Sequence, residues 1–85
     1  MGRALTVNRV VVPPPDRDRY LERQRRRRDF FTGAACRYWV FEEVDLSGAF
    51  IEFIEAADAD TLVGALAEAP DQFVEAVRVY QEVEM

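Results

Sequence analysis

The sequence predicts a small α+β domain with the element order β-α-β-β-α-β across its 85 residues. Three observations carry this. The apolar period alternates along the chain between two residues and about 3.6 residues, the signatures of strand and helix. Proline, glycine and acidic capping residues stand where the period changes. The middle of the chain reads as two aromatic, β-branched runs flanking Asp45-Leu46-Ser47-Gly48, the chemistry of a hairpin turn.

The first strand is expected from Ala4 to Val12, because the run is rich in β-branched residues and stops at Pro13-Pro14-Pro15, which cannot continue a ladder. Its alternation puts Leu5, Val7, Arg9 and Val11 on one face and Thr6, Asn8, Val10 and Val12 on the other. Asp16 then caps a helix running to Phe31 or Thr32 and stopped by Gly33 in the left-handed conformation. Tyr20, Leu21, Gln24, Arg28 and Phe31 line one side of it. The run Arg25-Arg26-Arg27-Arg28 covers a full turn, so at least one arginine must lie near the buried side.

Strand two is expected from Ala35 to Val44 and strand three from Ala49 to Ala57. If Val44 pairs with Ala49, Phe41 opposes Glu52, Val40 opposes Phe53 and Trp39 opposes Ile54. One face of the hairpin then carries Arg37, Trp39, Phe41, Phe50, Glu52 and Ile54, and the other carries Cys36, Tyr38, Val40, Ile51 and Phe53. Asp58 or Asp60 caps a second helix with Leu62, Val63, Leu66 and Ala69 on its apolar side, ending near Pro70. A short turn, helical through Asp71 to Val74, leads to a fourth strand from Ala76 to Glu84.

Size and composition restrict what such a domain can do. At this length a chain buries only somewhat more than roughly 60% of its unfolded surface and is marginal alone. A single cysteine, Cys36, cannot form an internal disulfide, and the absence of histidine excludes a histidine-containing zinc, copper or haem site built from this chain. No metal or cofactor is expected. The net charge of −5 conceals a split: residues 1–41 carry ten arginines against four acids, whereas residues 42–85 carry Arg78 against twelve acids. No run is long enough to span a membrane and the first residues lack a signal-peptide core, so a cytoplasmic location without membrane partner is expected.

The β-α-β-β-α-β order is the split βαβ plan of the ferredoxin-like fold, in which both helices cover one face of a four-stranded antiparallel sheet. The opposite face is then bare and largely apolar, so a homodimer joining two sheets face to face is expected from one ferredoxin-like domain spanning 1–85. With these elements in place, the chain resembles the antibiotic biosynthesis monooxygenase-like branch of the dimeric α+β barrels. The resemblance rests on four stretches. They are the run from Leu5 to Val12 ending at Pro13, the segment Gly33-Ala-Ala-Cys-Arg-Tyr-Trp-Val-Phe, Phe50-Ile-Glu-Phe-Ile-Glu before an acidic helix start, and Arg78-Val-Tyr. It implies cofactor-independent oxidation or isomerisation of a small aromatic or polyketide-like molecule in a pocket between helices and sheet. The alternative is a non-catalytic homodimeric module that binds a ligand or serves a structural role.

Asn8 matches the first-strand asparagine that haem-degrading relatives use with a tryptophan and a histidine. This chain has no histidine, and Ile54 stands where those relatives carry the tryptophan, which sets haem degradation aside. The candidate polar residues are Asn8, Glu52 and Arg78, and the candidate pocket residues are Trp39, Phe41, Tyr38 and Tyr80. Each aromatic has an ordinary alternative as core packing. Glu52 among apolar neighbours needs a partner, with Arg9, Arg37, Arg78 or an arginine of the first helix available, or else becomes a possible general base. Seven arginines between Arg17 and Arg28 would attract phosphate, but the acidic second helix is expected on the same side of the sheet, so they are read as pairing with acids and no nucleic-acid partner is expected. Cys36 has no neighbouring base in the sequence pattern and is read as a small hydrophobe.

Overall fold

The computed structural model describes residues 2–70 and 77–85. The elements are β1 (Ala4–Val11), a 3-10 turn (Pro14–Asp16), α1 (Arg17–Gly33), β2 (Arg37–Glu42), β3 (Ala49–Ala56), α2 (Ala59–Glu68) and β4 (Tyr80–Gln81). The strands form one antiparallel sheet in the order β2-β3-β1-β4. Both helices pack on the face that carries Ala4, Thr6, Phe50, Glu52, Ile54 and Ala56. The expected turn at Asp71 to Val74 and the start of the fourth strand at Ala76 lie outside the described residues. Within them β4 is much shorter than expected, with Val77–Val79 preceding it outside the ladder.

The hairpin register differs from the expected one by a single residue. Glu42 pairs with Phe50, Phe41 with Ile51, Val40 with Glu52, Trp39 with Phe53 and Tyr38 with Ile54. The cause lies in the turn. The β2 ladder stops at Glu42, the Glu43 N–H bonds to the Ala49 carbonyl at 2.9 Å, and Val44 projects into solvent. Gly48 takes φ +90° in the turn, and its N–H donates to the Glu42 carboxylate at 2.8 Å. The slip exchanges faces: Glu52 lies with Tyr38 and Val40 under the helices, and Trp39 and Phe41 lie with Ile51 and Phe53 on the opposite face, which is bare among the described residues.

Gly48 also approaches β1 closely. Its carbonyl accepts the Val12 N–H at 2.7 Å, and a Cβ on it would stand 2.5 Å from the Val12 carbonyl oxygen. Gly48→Ala combines that clash with an unfavourable φ, and is expected to cost at least about 2 kcal/mol in urea-monitored unfolding. Loss of less than about 0.5 kcal/mol would show that the turn rearranges freely.

Helix termini follow the sequence in part. Asp58 caps α2 by accepting the Thr61 N–H at 2.7 Å. Asp16 stands at the α1 N-terminus without a side-chain cap bond and pairs instead with Arg19. At the other end the helix includes Gly33, and the left-handed residue is Ala35, at φ 64°. Cys36 N–H then reaches back to the Phe31 carbonyl at 2.9 Å, so the reversal comes two residues later than the glycine suggests. On α2, Leu62 and Ala65 are buried while Val63 is exposed, correcting its place on the apolar side.

Two apolar clusters fill the helix side. One gathers Ala4, Phe31, Cys36, Ile54, Ala56, Leu62, Ala65 and Ala69, and the other Val12, Tyr20 and Phe50. Between them lies a buried polar layer of Thr6, Gln24, Arg27 and Glu52. The layering follows from periodicity. Phe50, Glu52 and Ile54 point the same way at strand spacing, while Tyr20, Gln24, Arg27 and Phe31 do so at helical spacing, so apolar meets apolar at each end and polar meets polar between.

Candidate functional site

The polar layer centres on Glu52, which is 2% exposed. One carboxylate oxygen, Oε2, accepts from Arg27 Nε at 2.7 Å, Gln24 Nε2 at 2.7 Å and the Tyr38 hydroxyl at 2.5 Å, and Oε1 accepts from Arg27 Nη2 at 3.2 Å. Gln24 Nε2 also donates to the Tyr38 oxygen at 2.6 Å. Arg27 is as deeply buried as Glu52, and its Nη1 donates to the Pro70 carbonyl at 3.0 Å, tying the end of α2 to α1. Its guanidinium lies 5.3 Å from the Phe31 ring centroid. The arginine required near the buried side of α1 is therefore Arg27 rather than Arg28, and it is the partner that Glu52 needs.

Electrostatics follow the geometry. Burial alone would lower the Arg27 pKa, but the hydrogen bond and charge of Glu52 outweigh it and the value rises, so the guanidinium keeps its charge in the interior. Burial, then the hydrogen bond to Glu52, pushes the Tyr38 phenol well above its ordinary range, which keeps it a proton donor to the carboxylate. Tyr20, stacked on Phe50 at 4.7 Å, is pushed up to about 12 by burial and then by the Glu52 charge. At the rim, Arg17 grips Glu42 through two bonds of 2.7 and 2.9 Å, and this with the Gly48 N–H lowers Glu42 to about 2.

These shifts fix the pH limits of stability. The phenols hold their protons more tightly folded than unfolded, so their contribution is complete below the unfolded value of 10.0 and is lost as pH rises through about 12 for Tyr20. Glu42 contributes above its unfolded value of 4.5 and loses that contribution as pH falls toward about 2. The urea midpoint is therefore expected to be flat between pH 6 and 9 and to fall on both sides; Tyr20→Phe should weaken the alkaline fall, and an unchanged alkaline limb would exclude Tyr20 as a source.

The structure brings only some of the sequence candidates together. Asn8, half-buried, stands opposite Glu52 in the β1–β3 ladder on the helix side, and Tyr38 joins the Glu52 cluster. Arg78 is exposed, and its carbonyl accepts the buried Thr6 hydroxyl at 2.9 Å. Trp39, Phe41 and Tyr80 lie on the bare face, away from the helix–sheet interior. Cys36 is buried and burial raises its thiol pKa, consistent with packing. Among the described residues no group of acids and cysteine could hold a metal ion, and no helix is long and apolar enough to cross a membrane.

Beside the cluster, a groove of about 240 Å³ opens between α1 and β2, with Leu21 and Val40 as apolar walls and Gln24 and Tyr38 leading to Glu52. A larger groove, about 510 Å³, runs between Val10–Pro13 and the arginine-rich flank of α1. No protein-family model and no curated protein matches the sequence. Among solved structures the fold is similar to that of Rv0793 from Mycobacterium tuberculosis, at 14% identity over 99% of this chain and 96% of that one, with a TM-score of 0.59. At that identity the likeness is one of fold: an α+β protein with a four-stranded antiparallel sheet and two helices.

Proposed function

We propose that this chain forms a homodimeric, ferredoxin-like α+β barrel of the antibiotic biosynthesis monooxygenase type, which binds a small aromatic molecule on the helix side of its sheet and oxidises or isomerises it without a cofactor. The strand order and the helices sharing one face agree with that plan, and the bare face offers an apolar surface for a second subunit. The observation that carries the ligand reading is the α1–β2 groove, where apolar walls meet the Tyr38 hydroxyl and Gln24 amide. Dioxygen would be the oxidant in the oxidative case, and the substrate's own electron-rich ring the source of electrons.

Glu52 is a positioning residue in this scheme. Its oxygens accept four hydrogen bonds among the described residues and face a buried guanidinium, so it holds Tyr38 and Gln24 in place rather than removing a proton. The same saturation favours the second reading, a binding module without turnover. Oxygen-electrode and thermal-shift measurements with hydroxylated benzenes and naphthalenes separate the two. Oxygen uptake that Val40→Phe abolishes supports catalysis, and stabilisation without uptake supports the module. Neither effect with any of these compounds would remove the groove from both readings.

A further inference from the structure

We propose that the α1–β2 groove selects single-ring aromatic anions and binds them with the ring inward and the charge outward, between Arg25 and Arg28. The inference rests on the groove being a ligand site but not on any turnover there. Three observations set the orientation. First, a volume of about 240 Å³ lies below the usual range for drug-sized ligands, so it suits one ring with a short substituent.

Second, of the described residues lining the inner end, neither Tyr38 nor Gln24 has a donor left for an anion. The Tyr38 hydroxyl donates to Glu52, and the Gln24 amide nitrogen spends its two protons on Glu52 and Tyr38. Beyond them lies Glu52, an acceptor whose buried carboxylate is already paired with Arg27, so it offers an arriving anion no donor. A ligand carboxylate pointing inward would therefore be desolvated without compensation.

Third, cations stand at the mouth. Arg25 and Arg28 are three residues apart on α1 and both border the groove, and helical spacing places their guanidinium groups on one side. Among the described residues each makes a single surface bond to an acid, Arg25 to Glu22 at 3.2 Å and Arg28 to Asp29 at 3.3 Å, which leaves further N–H donors on each fork for an arriving carboxylate. Exposed pairs of this kind are weak and readily exchanged. The ring would meanwhile replace water against Leu21, Val40 and the Tyr38 ring.

The test is calorimetric titration of the intact protein with benzoate and with neutral benzamide, which share the ring and differ in charge. Benzoate is expected to bind about tenfold or more tightly than benzamide, with affinity falling as salt rises. The exposed double variant Arg25→Gln/Arg28→Gln should erase the difference between the probes while leaving the thermal midpoint close to that of the parent, and Val40→Phe should block both. Equal binding of the two probes, benzoate binding that survives the double variant, or no binding of benzoate would each overturn the proposal. Benzoate itself is not a substrate for the proposed oxidation, so anion binding without oxygen uptake on hydroxylated rings defeats the catalytic reading alone, while uptake with no benzoate preference defeats this inference alone.

Discussion

Arg27→Met is expected to destabilise the protein by about 3–5 kcal/mol, because it leaves the Glu52 carboxylate buried without its counter-charge. For a domain this small that is a large part of the whole stability. The cost is not the value of the pair itself, since bringing both charges out of water offsets most of their attraction. A double variant with both charges removed separates the two quantities. Arg27→Met/Glu52→Leu should recover most of the loss: Gln24 and Tyr38 lie 2.6 Å apart and can still bond to each other, and the Pro70 carbonyl that Arg27 leaves belongs to a residue only partly buried. Urea unfolding of the two single variants and the double variant gives the coupling directly. A loss below about 1 kcal/mol for Arg27→Met would mean that water reaches Glu52, and the buried layer would no longer explain how α1 is held against the sheet.

The element order was legible from periodicity because each element has one dominant period and a distinct stop signal. What periodicity could not supply was the phase between neighbouring elements. Val44 and Ala49 flank the turn residues as partners, yet the turn is closed by Gly48 at positive φ and by the Glu42 carboxylate on its N–H, a carboxylate that Arg17 from another element also holds. That one residue of slip decides whether Tyr38 and Val40 or Trp39 and Phe41 share the face of Glu52. Within α1, Arg27 and Arg28 differ by 100° around the axis, and the choice between them depends on which faces Glu52. Spacing from Tyr20, Gln24 and Phe31 fits position 27 and was the available signal. Gly33 misled because glycine permits a left-handed turn without requiring it, and Ala35 accepts that conformation while Cys36 is buried. The groove of the further inference could not be read from sequence, since Leu21 and Val40 meet only once α1 and β2 are docked.

Phe53→Arg is expected to separate the proposed dimer into monomers at micromolar concentration. Phe53 is at the centre of the bare face: it stands opposite Trp39 on β2 and Val7 on β1, and its ring meets Phe41 edge-on at 5.7 Å. Trp39 is 40% exposed, Phe41 54% and Val11 58%, a concentration of apolar surface that a single small domain seldom leaves to water. In a twofold interface each substitution occurs twice, so burying two guanidinium groups among aromatic rings should raise the dissociation constant about a hundredfold or more. The side chain stands on the face away from both helices, so an isolated subunit should keep its helical circular dichroism even as its mass halves by sedimentation. Val63→Arg, an exposed apolar position on α2, should leave the mass unchanged and guards against a general effect of added charge. If the parent protein sediments as a monomer at the same concentration, the dimer is refuted.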